Sequence, residues 1–170
     1  MCCIIHNHSF EGNDLTVNKV KCKKYTIMNL SRNKDLYDML FMQVARMHDE
    51  VDYRKHLNVY QGQRGKWKDY PSVSVGSEIG RWMAIGHHHL KSSRSDFHPL
   101  IYNKLTACLG YLNELGKNAP ECLNLVGHCA ENYAVSGALK GKVHDGINVI
   151  EQDLDSLKFQ RLFVLGHGRT

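Results

Sequence analysis

No stretch of this chain approaches the roughly 20 consecutive apolar residues that cross a bilayer. The opening Met1-Cys2-Cys3-Ile4-Ile5-His6 is too short to serve as a signal peptide. Neither a membrane span nor a secretory leader is therefore expected. Lysine and arginine never gather into a tract, although they outnumber the acids 22 to 17 and leave a formal net charge of +5. That mild excess permits an anionic partner such as nucleic acid without demanding one. The six cysteines (2, 3, 22, 108, 122 and 129) are irregularly placed and do not look like a disulfide framework. A reducing, cytoplasmic setting is expected. There is no internal repeat and no low-complexity linker. The 170 residues, 42% hydrophobic and 23% charged, read as one ordinary globular domain with room for a core.

What is present divides at about residue 30. Residues 1–30 read as an N-terminal extension in which Cys2, Cys3, His6 and His8 are zinc-binding types. Adjacent cysteines strain a shared metal site, so a terminus or edge strand is the plainer reading. Val17 to Met28 alternates loosely among lysines, as a half-exposed strand does. Ser31 is placed to cap a helix with Asp35 in its first turn. Leu36, Leu40, Val44, Met47 and Val51 recur at helical spacing with Phe41 beside them. From Asp52 to Pro71 the chain is polar and basic. There Lys66, Trp67, Lys68 and Tyr70 suit either base stacking or a solvated loop with one aromatic anchor.

Ser72 to Gly76 and Arg81 to His87 read as a β-hairpin, with Trp82, Ala84 and Gly86 on one face and Met83 and Ile85 on the other. The hairpin runs into His87-His88-His89. In a strand His87 and His89 share a face, which suits two metal ligands, and at a strand end the triplet equally suits a surface loop. Pro99 opens a helix that Gly116 closes, striped by Ile101, Leu105, Cys108, Leu112 and Leu115. After Ala119-Pro120 comes the helix that starts at Cys129 and ends near Gly141. Ile147, Ile150, Leu154 and Leu157 suggest one more short helix. Arg161-Leu162-Phe163-Val164-Leu165 then reads as a strand buried on both faces, ending at Gly166.

The chemistry concentrates in Gly127-His128-Cys129-Ala130-Glu131-Asn132-Tyr133-Ala134-Val135, which runs on to Ala138-Leu139. Cys129 and Glu131 fall in the first helical turn, where unpaired backbone N–H groups and the positive end of the dipole favour a thiolate. Ala130, Ala134 and Ala138 supply a tightly packing face. The plain alternative makes Cys129 a small buried filler and Glu131 a helix-start carboxylate. A thiol enzyme with Cys129 as nucleophile and a histidine base is a further possibility.

Cys129-Ala130-Glu131, with Ala134-Val135 and Ala138-Leu139 behind it, resembles the motif helix of the cytidine-deaminase-like superfamily. The resemblance covers about the last forty-five residues closely and the element order from about Ser31 more loosely. It implies an α/β fold, a three-layer α/β/α deaminase-like sheet entered as helix-strand-strand-helix-helix-strand over residues 31–170. It also implies zinc as cofactor, with Cys129 as a metal ligand and Glu131 as the catalytic proton carrier. His128 stands one residue too early to replace Cys129. The substrate implied is a nucleobase, in a nucleoside or a nucleic acid.

Hydrolytic deamination needs a hydroxide near neutral pH, which zinc supplies, and a carboxylate that moves protons without binding the metal. Catalytic zinc usually takes three protein ligands. In the family two come from a Pro-Cys-x-x-Cys motif after the buried strand, and no Cys-x-x-Cys occurs in this sequence. The family's Asn-x-Glu at the end of the second strand, where nucleoside deaminases hold the sugar, is absent, and His87 to His89 stand there instead. His87 and His89, on one strand face, are the candidate additional ligands. The expectation is a domain incomplete at its C-terminus or inactive by itself, completed by a further segment or a partner chain. The alternative is a non-catalytic domain of the same fold that binds nucleic acid or protein.

Overall fold

Apolar spacing decides the first element. Leu36, Leu40, Val44 and Met47 fall on one face of α1 (Lys34–His56) and are buried. The computed structural model describes residues 31–56, 74–117 and 124–162. Cys2, Cys3, His6, His8, Val17 to Met28, Trp67 and Phe163 to Leu165, with the expectations attached to them, lie outside these residues. The cap of α1 is Asn33 rather than Ser31. Asn33 Oδ1 accepts from the N–H groups of Asp35 (3.0 Å) and Leu36 (3.4 Å). Ser31 is buried instead, its N–H donating to Phe159 O at 2.8 Å. Phe41 is 53% exposed and stacks on Tyr37 one turn earlier, so it does not join the buried stripe. The helix continues through Asp52 to His56, beyond the expected polar boundary.

The hairpin forms as expected, shifted by two residues at its start. β1 (Ser74–Ile79) and β2 (Trp82–His87) pair antiparallel around a two-residue turn. Gly80 opens that turn at φ 58°, a conformation that side chains disfavour. β3 (Leu157–Leu162) pairs antiparallel with the other edge of β1, giving the strand order β2-β1-β3. β3 starts four residues before the expected strand. In its described part Leu157 and Phe159 are buried while Lys158 is exposed and reaches Glu78 at 3.5 Å.

Helices cover both faces of this sheet. α1 lies on the face of Gly76 and Met83, where a Cβ on Gly76 would come within 2.8 Å of Leu36 Cδ1. On the other face α2 (Pro99–Leu109) and α3 (Ala130–His144) enclose a core that includes Val75, Ile79, Phe97, Ile101, Leu105, Leu139 and Phe159. α2 starts with His98 as cap and Pro99 in the first turn, and it ends at Gly110 (φ 109°), six residues before Gly116. Short 3₁₀ turns at Arg94–Asp96 and Glu151–Ser156 lead into α2 and β3. The second stands where a short helix was expected and buries Leu154.

Trp82, Ala84 and Gly86 all face α3. A Cβ on Gly86 would sit 2.1 Å from Ala130 O and 2.3 Å from Ala134 N, and one on Gly137 would sit 2.7 Å from Ala84 Cβ. At the far end a Cβ on Gly141 would meet Trp82 Cδ1 at an ordinary 3.6 Å. Ala134 and Ala138 are wholly buried against this seam. The Ala face read from the sequence is therefore the packing face. α3 runs three residues past Gly141, and Lys142 forms a buried ion pair with Asp153.

Enlarging this seam is expected to unfold the protein more easily. Ala134→Leu should destabilise by about 1–3 kcal/mol through overpacking. Gly86→Ala should also destabilise, because its Cβ meets helix backbone and cannot be relieved by a rotamer change. Ser77→Ala is the contrasting control: its buried hydroxyl has no hydrogen-bond partner among the described residues, so its removal should cost little. Urea denaturation of the three variants measures all of these.

Candidate functional site

The start of α3 is set by the turn before it. Gly127 takes φ 89°, and a Cβ there would come 2.8 Å from Leu112 and 3.3 Å from Ser92. The His128 N–H then donates to Leu125 O, and His128 O accepts from the His89 N–H, both at 3.1 Å. This second bond ties the histidine segment after β2 to the entry of α3. Cys129 is the N-cap, extended at φ −73° and ψ 137°, so it stands just before the first turn rather than within it. Its thiol is buried and accepts from Asn124 Nδ2 at 3.7 Å. Glu131 is the second residue of α3, buried, and the one acid of the first turn. Both side chains thus lie where the unpaired N–H groups and the helix dipole favour negative charge.

The histidine triplet divides at the end of β2. His87 is on the α1 face, opposite Ser74, whose Oγ lies 2.7 Å from His87 Nδ1 and also donates to Met47 Sδ at 3.2 Å. It stands across the sheet from Cys129, because Gly86, its neighbour, faces α3. His89 has left the strand and stacks on Tyr133, with ring centroids 4.0 Å apart. The shared face expected for His87 and His89 is therefore not formed: alternation ends where the strand does. The middle histidine is the one near the site. His88 meets His128 edge-on at 6.1 Å, and the Glu131 carboxylate pulls its pKa upward against a net downward shift.

A polar network behind these rings had no role in the sequence reading. Asn113, at φ 65°, accepts through Oδ1 from the Ser92 N–H (2.8 Å) and from His128 Nε2 (2.9 Å). Its Nδ2 donates to Ser92 O at 2.9 Å, which fixes the amide orientation. An acceptor at Oδ1 requires the proton of His128 on Nε2, leaving Nδ1 with the lone pair in the neutral ring. Ser92 Oγ donates to Gly127 O (3.0 Å), so the Tyr133 hydroxyl donates to Ser92 Oγ (2.5 Å). Asn113 and Glu114 also pair through their backbones with Val126, beside a bridge between Leu115 and Leu125. The only sequence signal for this clamp was an Asn shortly after Gly110, the kind of residue that tolerates a left-handed backbone.

These contacts hold a buried thiol and a buried carboxylate two residues apart, beside neutral imidazoles. Burial lowers the pKa of His87, His88 and His128, and repulsion from neighbouring histidines lowers each further. Burial raises that of Tyr133. Among the described residues no three His, Cys, Asp or Glu side chains gather in an arrangement that holds a metal ion. Cys129 is thus a single thiol donor there, with no two further ligands of a catalytic zinc beside it among the described residues. No membrane-crossing helix, long and apolar, occurs among the described residues.

The lowered histidine pKa values give stability a pH dependence. The unfolded chain binds protons near the ordinary histidine value of about 6.5, while folded His87, His88 and His128 bind them only at lower pH. Stability is therefore expected to be full above about pH 6.5 and to fall as the pH drops below it. His128→Asn should flatten that fall. Urea midpoints at pH 5, 6 and 7 measure both.

Comparison with protein-family models, curated proteins and solved structures finds no match for this chain.

Proposed function

We propose that this chain is a deaminase-like α/β/α domain acting on a nucleobase, with Cys129 as a zinc ligand and Glu131 as the proton carrier. The carrying observation is the helix start itself: a buried thiol at the N-cap and a buried carboxylate two residues on. The strand order β2-β1-β3, with helices on both faces and α3 packed on the hairpin, supports the same reading. Zinc, when bound, supplies a hydroxide near neutral pH. Cys129 is the residue of this site that would hold it, and Glu131, two residues on in the first turn of α3, would serve as the carboxylate that moves protons rather than as a ligand. Its task is to hold a proton and deliver it first to the ring nitrogen and then to the leaving amine. His88 lies near enough to Glu131 to feel its charge.

One observation favours the second reading, a non-catalytic domain of this fold that binds nucleic acid or protein. Only one of three zinc ligands stands at the helix start among the described residues. Zinc titration and deamination assays separate the two. Zinc affinity should fall at least tenfold in Cys129→Ser and stay unchanged in Glu131→Gln. With zinc supplied, turnover of cytosine- or adenine-containing nucleosides and single strands should fall on the order of 10²–10⁴-fold in Glu131→Gln. Zinc binding indifferent to Cys129, or full turnover without Glu131, overturns the enzyme reading. No zinc binding and no turnover in the unaltered protein supports the second.

A further inference from the structure

Between β2 and α2 the chain forms a cleft of about 560 Å³, lined by Ser93, Arg94, Ser95, Phe97, Pro99 and Tyr102. We infer that this cleft is a phosphate-ester site anchored by Arg94. The Arg94 guanidinium lies over the Tyr102 ring, 5.2 Å from its centroid. Stacking on a ring restricts the side chain while leaving its N–H donors directed outward in the guanidinium plane. Among the described residues no carboxylate pairs with it. The nearest acid in sequence, Asp96, turns its carboxylate to the Ser93 N–H at 2.6 Å.

A second positive charge lies under the same turn. Lys140 Nζ donates to the carbonyls of Ser95 (2.8 Å) and Asp96 (2.9 Å). The hydroxyls of Ser93 and Ser95 bond one another at 2.8 Å, so one of their two protons remains for another acceptor. A planar fork, a hydroxyl proton and a nearby ammonium match a tetrahedral dianion with several acceptor oxygens. Phe97, Pro99 and Tyr102 add an apolar wall suited to the remainder of the ester. The cleft adjoins the candidate site through rings: Phe97 lies 4.9 Å from Tyr133, and Tyr133 carries His89 at 4.0 Å, two residues after Glu131. That the ester is a nucleotide rests on the deaminase reading, whereas its phosphate chemistry does not.

Calorimetric titration tests this with cytidine, adenosine, their 5′-monophosphates and a short single-stranded oligonucleotide. The unaltered protein should bind a phosphate-bearing probe at least tenfold more tightly than the nucleosides. Arg94→Gln, at an exposed position, should remove that advantage on the order of 10- to 100-fold, and Arg94→Lys should restore part of it. A monophosphate as good as the oligonucleotide assigns the cleft to a terminal phosphate, and preference for the strand alone assigns it to an internucleotide one. Equal binding of nucleoside and monophosphate with no gain for the strand overturns the inference. So does binding indifferent to Arg94→Gln, or no binding of any phosphate-bearing probe. If Arg94-dependent binding is found where Glu131→Gln leaves turnover intact, this inference stands and the deaminase reading falls.

Discussion

The contact on which this structure depends is backbone against backbone: Gly86 of β2 under Ala130 and Ala134 of α3. A helix usually meets a sheet through interdigitated side chains, and over Gly86 there is room for none: a Cβ there would meet the backbone of Ala130 and Ala134. Dispersion falls off steeply with distance, so such close approach gives many atom pairs near their optimum. It is also unforgiving, because a peptide group has no rotamer into which to retreat. The seam therefore couples the register of the hairpin to the position of α3, and with it the place of Cys129 and Glu131. The loop before α3 is constrained too, since the His89 N–H bonds His128 O across the same junction.

Around that junction the polar groups are ordered by what they must satisfy. Ser92 is buried, and its N–H, C=O and hydroxyl are all engaged by Asn113, Gly127 and Tyr133. A buried hydrogen-bonding group without a partner costs about 1–3 kcal/mol, so this network holds the histidine segment and the helix entry together or fails at both. Burial, and repulsion from neighbouring histidines, lower the pKa of His88 and His128.

Much of this was legible wherever a side chain's period decides its environment. Leu36, Leu40, Val44 and Met47 declared a helix face, and the alternation of Trp82, Ala84 and Gly86 declared one face of β2, which the structure turns to α3. The Cys129–Glu131 pair was legible as a helix start. Local choices between chemically similar residues were not: Ser31 and Asn33 both cap well, and the neighbouring sheet settled the matter by taking Ser31 for Phe159. The end of α2 was set at Gly110 because the chain must turn there to reach Asn113 and its long-range partners. His87 and His89 share a face only while the strand lasts, and it ends at His87. The Asn113–Ser92–His128 network joins residues 21 and 15 positions apart, a distance over which no spacing rule operates.

The inner face of β2 has one more consequence, concerning orientation. Going from His87 back toward the turn, the residues under α3 grow from Gly86 to Ala84 to Trp82, while the helix offers alanine backbone, then Gly137, then Gly141. The indole is itself held in place, with Arg81 and Lys142 at 5.0 Å and 5.5 Å from its ring and Nε1 donating to Asp145 at 2.9 Å. A graded filler of this kind acts as a wedge. Backbone meets backbone at the N-terminal end of the helix, and at its C-terminal end the indole stands between helix and strand. The angle of α3 is thus written in side-chain volume along a single strand, and Trp82, at the end remote from Cys129, sets the aim of the helix start.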